Sequence, residues 1–135
     1  MLKLIIALVL LAHGIGHSMG LLQIFNVVVV NPAWRGDSWL LGQGGVGTGL
    51  GTVIGVVVWT ASIVGFAALA AVVMGWLPEG WWAPLAIGSA IASLVGLLLF
   101  PLAFPTGSAV AAFAVDAVLL VAVMWASWEP SELAA

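Results

Sequence analysis

The chain has 135 residues, 64% of them hydrophobic and only 5% charged, with a net charge of -3 and a mean hydropathy of +1.32. Such a composition excludes an ordinary soluble domain. Two basic residues, Lys3 and Arg35, cannot form a nucleic-acid patch, and the absence of cysteine excludes disulfides and thiolate chemistry. In hydrocarbon every backbone polar group must be paired internally, so spanning segments are helices or a closed barrel. The apolar residues run continuously instead of alternating, which disfavours a barrel. The expected fold is all-α: one integral membrane domain over residues 1–135, an up-down four-helix bundle.

The first predicted span covers about 2–30. Its start resembles a signal peptide, but apolar residues continue well past Ala12-His13-Gly14 and Ser18-Met19-Gly20, so an uncleaved helix is expected. Within it lie both histidines of the chain, His13 and His17, four residues apart. On a helix that spacing puts both imidazoles on one face, about one turn apart. Asn31 to Trp39 forms a loop, its Trp34 and Trp39 suited to the headgroup level.

The second span is expected over about 44–75, inside an apolar stretch from Gly42 to Trp76. Gly47, Gly51 and Gly55 form a small-residue ridge there, which allows helices to approach closely in lipid. Gly16 and Gly20 flank the histidines as the matching surface. No Gly-Lys-Ser/Thr sequence ends the glycine run, so a phosphate loop is disfavoured. Pro78 and three tryptophans, Trp76, Trp81 and Trp82, mark the next turn. A third span at about 83–100 carries Gly88 and Gly96 beside Ser89 and Ser93. The fourth, about 108–128, leads to a short acidic tail. Short loops make the helices alternate in direction, and the tryptophans then sort into two belts at opposite ends. Lys3 and the terminal amine favour cytoplasmic termini, in a bacterial inner membrane.

Asp116 is the one acid well inside a predicted span. A carboxylate there costs about 2.5–3.5 kcal/mol on insertion scales and calls for a partner. Matched depth nominates His17, with His13 one turn deeper. An Asp-His-His cluster relays protons, binds a small ligand such as a quinone, or supplies at most three metal ligands, His13, His17 and Asp116. Two histidines on one helix face cannot be opposite axial ligands of one haem. Gln23, Asn26, Thr48 and Thr52, with Gln43, are expected to form a polar vestibule towards His17. The bland alternative is that these groups only hold helices together. Trp59 is expected to face lipid or to pack.

His13, Gly14, His17 and Gly20, following a short apolar run, resemble the His-Gly-x-x-His motif of a group of small bacterial four-helix membrane proteins of unassigned function. The likeness implies a site at the motif and carries no activity with it. Two functional readings stand side by side, and a third, a small transporter or channel acting as a homo-oligomer, is disfavoured because the four spans carry no charged pore lining and no paired discontinuous helices. In one, the chain carries a buried site for a proton, metal or small ligand. In the other, it is an accessory subunit that docks onto a larger membrane complex, or onto copies of itself, through glycine ridges. Catalysis is disfavoured for want of a nucleophile–base pair, and no cofactor is specified.

Overall fold

The computed structural model describes residues 1–27, 31–41 and 49–134. Among these, four helical spans are long and apolar enough to cross a membrane, at 2–24, 50–73, 79–99 and 106–124. The first is two helices, α1 (Leu2–Gly16) and α2 (Ser18–Ile24), which meet at His17. The others are α3 (Leu50–Val73), α4 (Trp82–Leu99) and α5 (Thr106–Met124). The all-α four-helix bundle expected from the sequence is the fold observed.

Local chemistry sets the boundaries. At His17 the ladder tightens to three-residue steps, His17 N–H to the Gly14 carbonyl at 3.1 Å and Gly20 N–H to the His17 carbonyl at 3.0 Å. That is a 3₁₀ step within one span. The helix α2 ends in a Schellman motif: Val27 N–H donates to the Leu22 carbonyl, and Asn26 holds the left-handed conformation at φ 49°. The helix α3 ends the same way, with Trp76 N–H on the Ala71 carbonyl and Gly75 at φ 77°, where a glycine carries no steric cost. These stops end the first two spans at residues 24 and 73, short of the 30 and 75 expected, and the expected start at 44 lies outside the described residues.

Order in the bundle follows the chain: α1 and α2 pack on α3, α3 on α4, and α4 on α5. The tail touches α1, so both termini and the α3–α4 turn share one end. There Trp82 is buried, donating its indole N–H to the Trp128 carbonyl at 2.9 Å, while Ser131 N–H donates to the Glu79 carboxylate at 2.7 Å. At the opposite end the 31–41 loop folds back over the bundle. Trp39 donates to the Leu98 carbonyl at 2.7 Å, and Arg35 N–H to that of Leu102 at 2.8 Å.

Glycines thread the interior differently from the expected ridges. A Cβ at Gly20 or Gly96 would lie 2.6 and 2.5 Å from the Trp59 indole, which is wedged between α2 and α4. Gly55 faces Ile24 and Phe100, and Gly51 is buried. Gly16 and Gly88, expected at helix contacts, have open space instead. Gly88 is exposed on the outer face of α4, and Gly16 faces the space between α1 and α5. Two glycines not singled out do pack: Gly14 against Phe66, and Gly65 against Ser89. Gly47 lies outside the described residues.

These contacts set the sign of two kinds of substitution. Gly20→Ala or Gly96→Ala forces the indole to shift and should lower stability by about 1–3 kcal/mol. Gly88→Ala meets nothing and should leave stability unchanged or slightly raised, because alanine is the better helix former. Reversible unfolding in mixed micelles checks both.

Candidate polar site

Helix depth explains which polar groups meet. The first span, 2–24, has its midpoint at residue 13, and α5, 106–124, at residue 115. His13 and Asp116 therefore lie at the same level, and His13 Nε2 reaches Asp116 Oδ1 at 2.9 Å. His17 and Ser93 lie one turn further towards the Trp34 end, and Ser93 Oγ meets His17 Nε2 at 2.9 Å. The Ser93 hydroxyl in turn donates to Asp116 Oδ2 at 2.5 Å. A fourth approach, His17 Nε2 to His13 Nε2 at 3.3 Å, completes a ring of four side chains from α1, α4 and α5 and the α1–α2 junction. Asp116 is fully buried and His17 nearly so.

The His17–Asp116 pair expected from the sequence is thus corrected: His13 pairs directly, and His17 reaches the acid through Ser93. The fourth span, expected over about 108–128, runs from 106 to 124, which moves its centre from near Val118 to residue 115 and brings Asp116 level with His13. Ser93 was noted only for its place beside a glycine ridge. Its neighbours Ser62 and Ser89 satisfy their hydroxyls on carbonyls four residues back in their own helices, Val58 and Leu85. Ser93 alone of the three crosses the bundle, and its depth was the signal that could have found it.

Proton counting orders the ring. Ser93 has one hydroxyl hydrogen and gives it to Asp116. His17 Nε2 must then be the donor towards Ser93, and with Asp116 ionised His13 Nε2 donates to Oδ1. In that state both facing nitrogens carry hydrogens, so the 3.3 Å approach is a contact and no bond. The carboxylate keeps one donor on each oxygen, which is what makes its burial tolerable. His17 Nδ1 has no hydrogen-bond partner among the described residues. As an unprotonated acceptor it is less costly there than an orphaned N–H would be, which favours the same tautomer.

Aromatic side chains enclose the ring. Trp59 stacks on His17 with centroids 5.4 Å apart at 18°, and Phe66 meets His13 edge-on at 4.4 Å. Trp59, read from the sequence as facing lipid or packing, is fully buried and is the floor of the site. On the remaining side His13 and His17 border a cavity of about 540 Å³ between α1 and α5, closed at its end by Trp34, Phe104 and Ser108.

The vestibule does not assemble. Gln23 is buried, but its amide turns back to the Met19 sulfur on its own helix at 3.7 Å. Asn26 is exposed and serves as the helix stop, Thr52 is half-buried on α3, and Gln43 and Thr48 lie outside the described residues. Nor do His13, His17 and Asp116 form a metal set. Among the described residues no three His, Cys, Asp or Glu groups are arranged to hold an ion. The physical reason is Ser93, which stands between His17 and the carboxylate. Comparison with protein-family models, curated proteins and solved structures gave no match.

The ring makes a definite prediction about tautomers. Asp116→Asn replaces two acceptors by one acceptor and one donor, so in either amide orientation one imidazole must move its proton from Nε2 to Nδ1. Nitrogen-15 NMR of labelled histidine should show one Nδ1–H ring in the variant and none in the parent at high pH. Ser93→Ala leaves His17 Nε2 and Asp116 Oδ2 unpaired and should cost about 1–3 kcal/mol.

Proposed function

We propose that this small multi-pass membrane protein holds a proton on the His13–Asp116–Ser93–His17 ring and presents it to a small ligand of quinone type in the adjoining cavity. The single observation behind this reading is the position of His13. One of its ring nitrogens is bonded to a buried carboxylate at 2.9 Å, while the imidazole borders the 540 Å³ cavity. An imidazole with two nitrogens takes a proton at one and releases it from the other. With Asp116 ionised the ring carries one negative charge, and one added proton makes it neutral. A neutral ring is the cheaper state in hydrocarbon. Relay therefore needs no side chain beyond the four. By the same resemblance and charge placement, the chain resides in a bacterial inner membrane with both termini in the cytoplasm.

The docking alternative draws less support. Gly14, Gly20, Gly55, Gly65 and Gly96 are all occupied by the chain's own side chains. The small-residue surfaces that would seat another subunit are mostly consumed within the bundle.

A short quinone without a chain, added to the protein in lipid nanodiscs, should quench tryptophan fluorescence saturably, since Trp34 lines the cavity. Its affinity should rise as pH falls, up to about tenfold per unit for one coupled proton. His13→Gln should abolish that pH dependence. Binding that neither saturates nor depends on pH would sink the reading.

A further inference from the structure

Beyond the polar cavity, the same interhelical groove continues towards the termini. A second cavity of about 390 Å³ lies between α1 and α5, floored by Trp82 and Trp128, and Val9 and Val115 line both chambers. Ile5, Leu10, Leu119 and Ala122 complete a lining without any charged side chain. The first helix passes both, from Met19 at the polar end to Ile5 at the apolar end, about 21 Å at 1.5 Å per residue. α5 contributes only Asp116 and Leu119 to the buried interior, so the groove it flanks stays open along its length.

We infer that the groove binds one long-chain amphiphile, its neutral carbonyl head against His13 and Ser108 and its hydrocarbon chain lying between α1 and α5 as far as Trp82 and Trp128. This rests on the ligand-binding reading above and assigns the molecular class. Three observations carry it. Among the polar groups that line the upper chamber, the Ser108 hydroxyl and the Trp34 indole can donate, and His13 Nδ1 donates once the ring has taken its added proton, which suits an acceptor head. Neither Lys3 nor Arg35 lines it, and Arg35 sits 3.8 Å from Asp37, so an anionic head would meet the Asp116 charge with no cation to offset it. The lower chamber adjoins the upper across Val9 and Val115 and is lined by apolar and indole side chains, which a head alone would leave unfilled.

The test uses the full chain in nanodiscs and three probes: a short quinone, the same quinone with a ten-carbon chain ending in bromine, and a bromine-terminated fatty acid of equal length. Heavy-atom quenching locates the chain end. The brominated quinone should quench Trp82 and Trp128, and Trp128→Phe should remove part of that quenching. At equal concentration in the membrane it should bind at least tenfold tighter than the short form. Ala122→Phe, which fills the lower chamber, should erase that gain and leave short-quinone binding intact; Ala114→Phe repeats the test should the first variant not fold. If the short quinone binds but the chain adds equally in parent and variants, the chain lies in bulk lipid and this inference is overturned while the proton-site reading stands. Saturable binding of the fatty acid in preference to the quinone overturns the neutral head. If no probe binds, both readings fall together.

Discussion

A carboxyl group buried at the middle of a span is the constraint on which the rest of this structure depends. Asp116 has no solvent exposure, and no lysine or arginine lies within the described spans except Lys3 near the start of α1. Its stabilisation must come from neutral donors. Two oxygens need at least two, and they come from different helices, His13 on α1 and Ser93 on α4. The requirement therefore acts as a geometric clamp. It sets the rotation of α5, the depth of α1 relative to it, and the position of α4 beside α5. Apolar packing alone would do little of this for α5, of whose span only 11% is buried. A helix so weakly embedded in its own bundle owes its register to a polar contact. In lipid, where apolar surface gains nothing by turning inward, that division of labour is the expected one.

The second organising element is Trp59. Small residues in membrane helices are usually read as surfaces for close helix approach. Here Gly20 and Gly96 instead make room for an indole that lies between α2 and α4 and stacks on His17. The indole excludes lipid from one side of the ring, while Phe66 and Phe104 contact the imidazoles edge-on. Buried beneath aromatic faces, the hydrogen bonds of the ring act in a low dielectric and are stronger for it. The cost is visible too: Trp59 Nε1 has no partner among the described residues. Packing has been favoured there over the satisfaction of one donor.

Sequence and structure agree most where the physics is one-dimensional. Continuous apolar runs, interfacial tryptophans and short turns fix four alternating helices with little ambiguity. Chemistry-bearing residues were also legible, because His13, His17 and Asp116 stand out in a chain with seven charged side chains. Pairing among them was not, since it turned on where the fourth span begins and ends. Asn26 takes the left-handed conformation and stops α2, while α5 begins and ends earlier than the 108–128 expected, which moves its centre from near Val118 to residue 115, the depth of His13. Asparagine in an apolar run reads equally as a vestibule group or as a helix terminator, and only the backbone decides. Glycines posed a similar difficulty. Periodicity shows that Gly16, Gly20 and Gly88 are small, but whether a glycine faces a neighbour depends on helix rotation. Rotation here is set by Asp116, a long-range contact.

The ring is tightly closed, yet the groove beside it is open. A network that serves only to pin helices is most stable when sealed on every side, because each exposed edge admits competing hydrogen-bond partners. α4 provides such a seal behind Ser93, and Trp59 provides one beneath His17. α1 and α5 do not close over His13; they stand apart and leave two adjoining chambers. Filling them would need only larger residues at Gly16, Ala111, Ala112 or Ala114, which is an easy change in a sequence already rich in valine and leucine. Small residues line the groove at the level of the acid, and aromatic rings close its two ends. The bundle thus combines a closely packed polar core with one open flank, and His13 borders both.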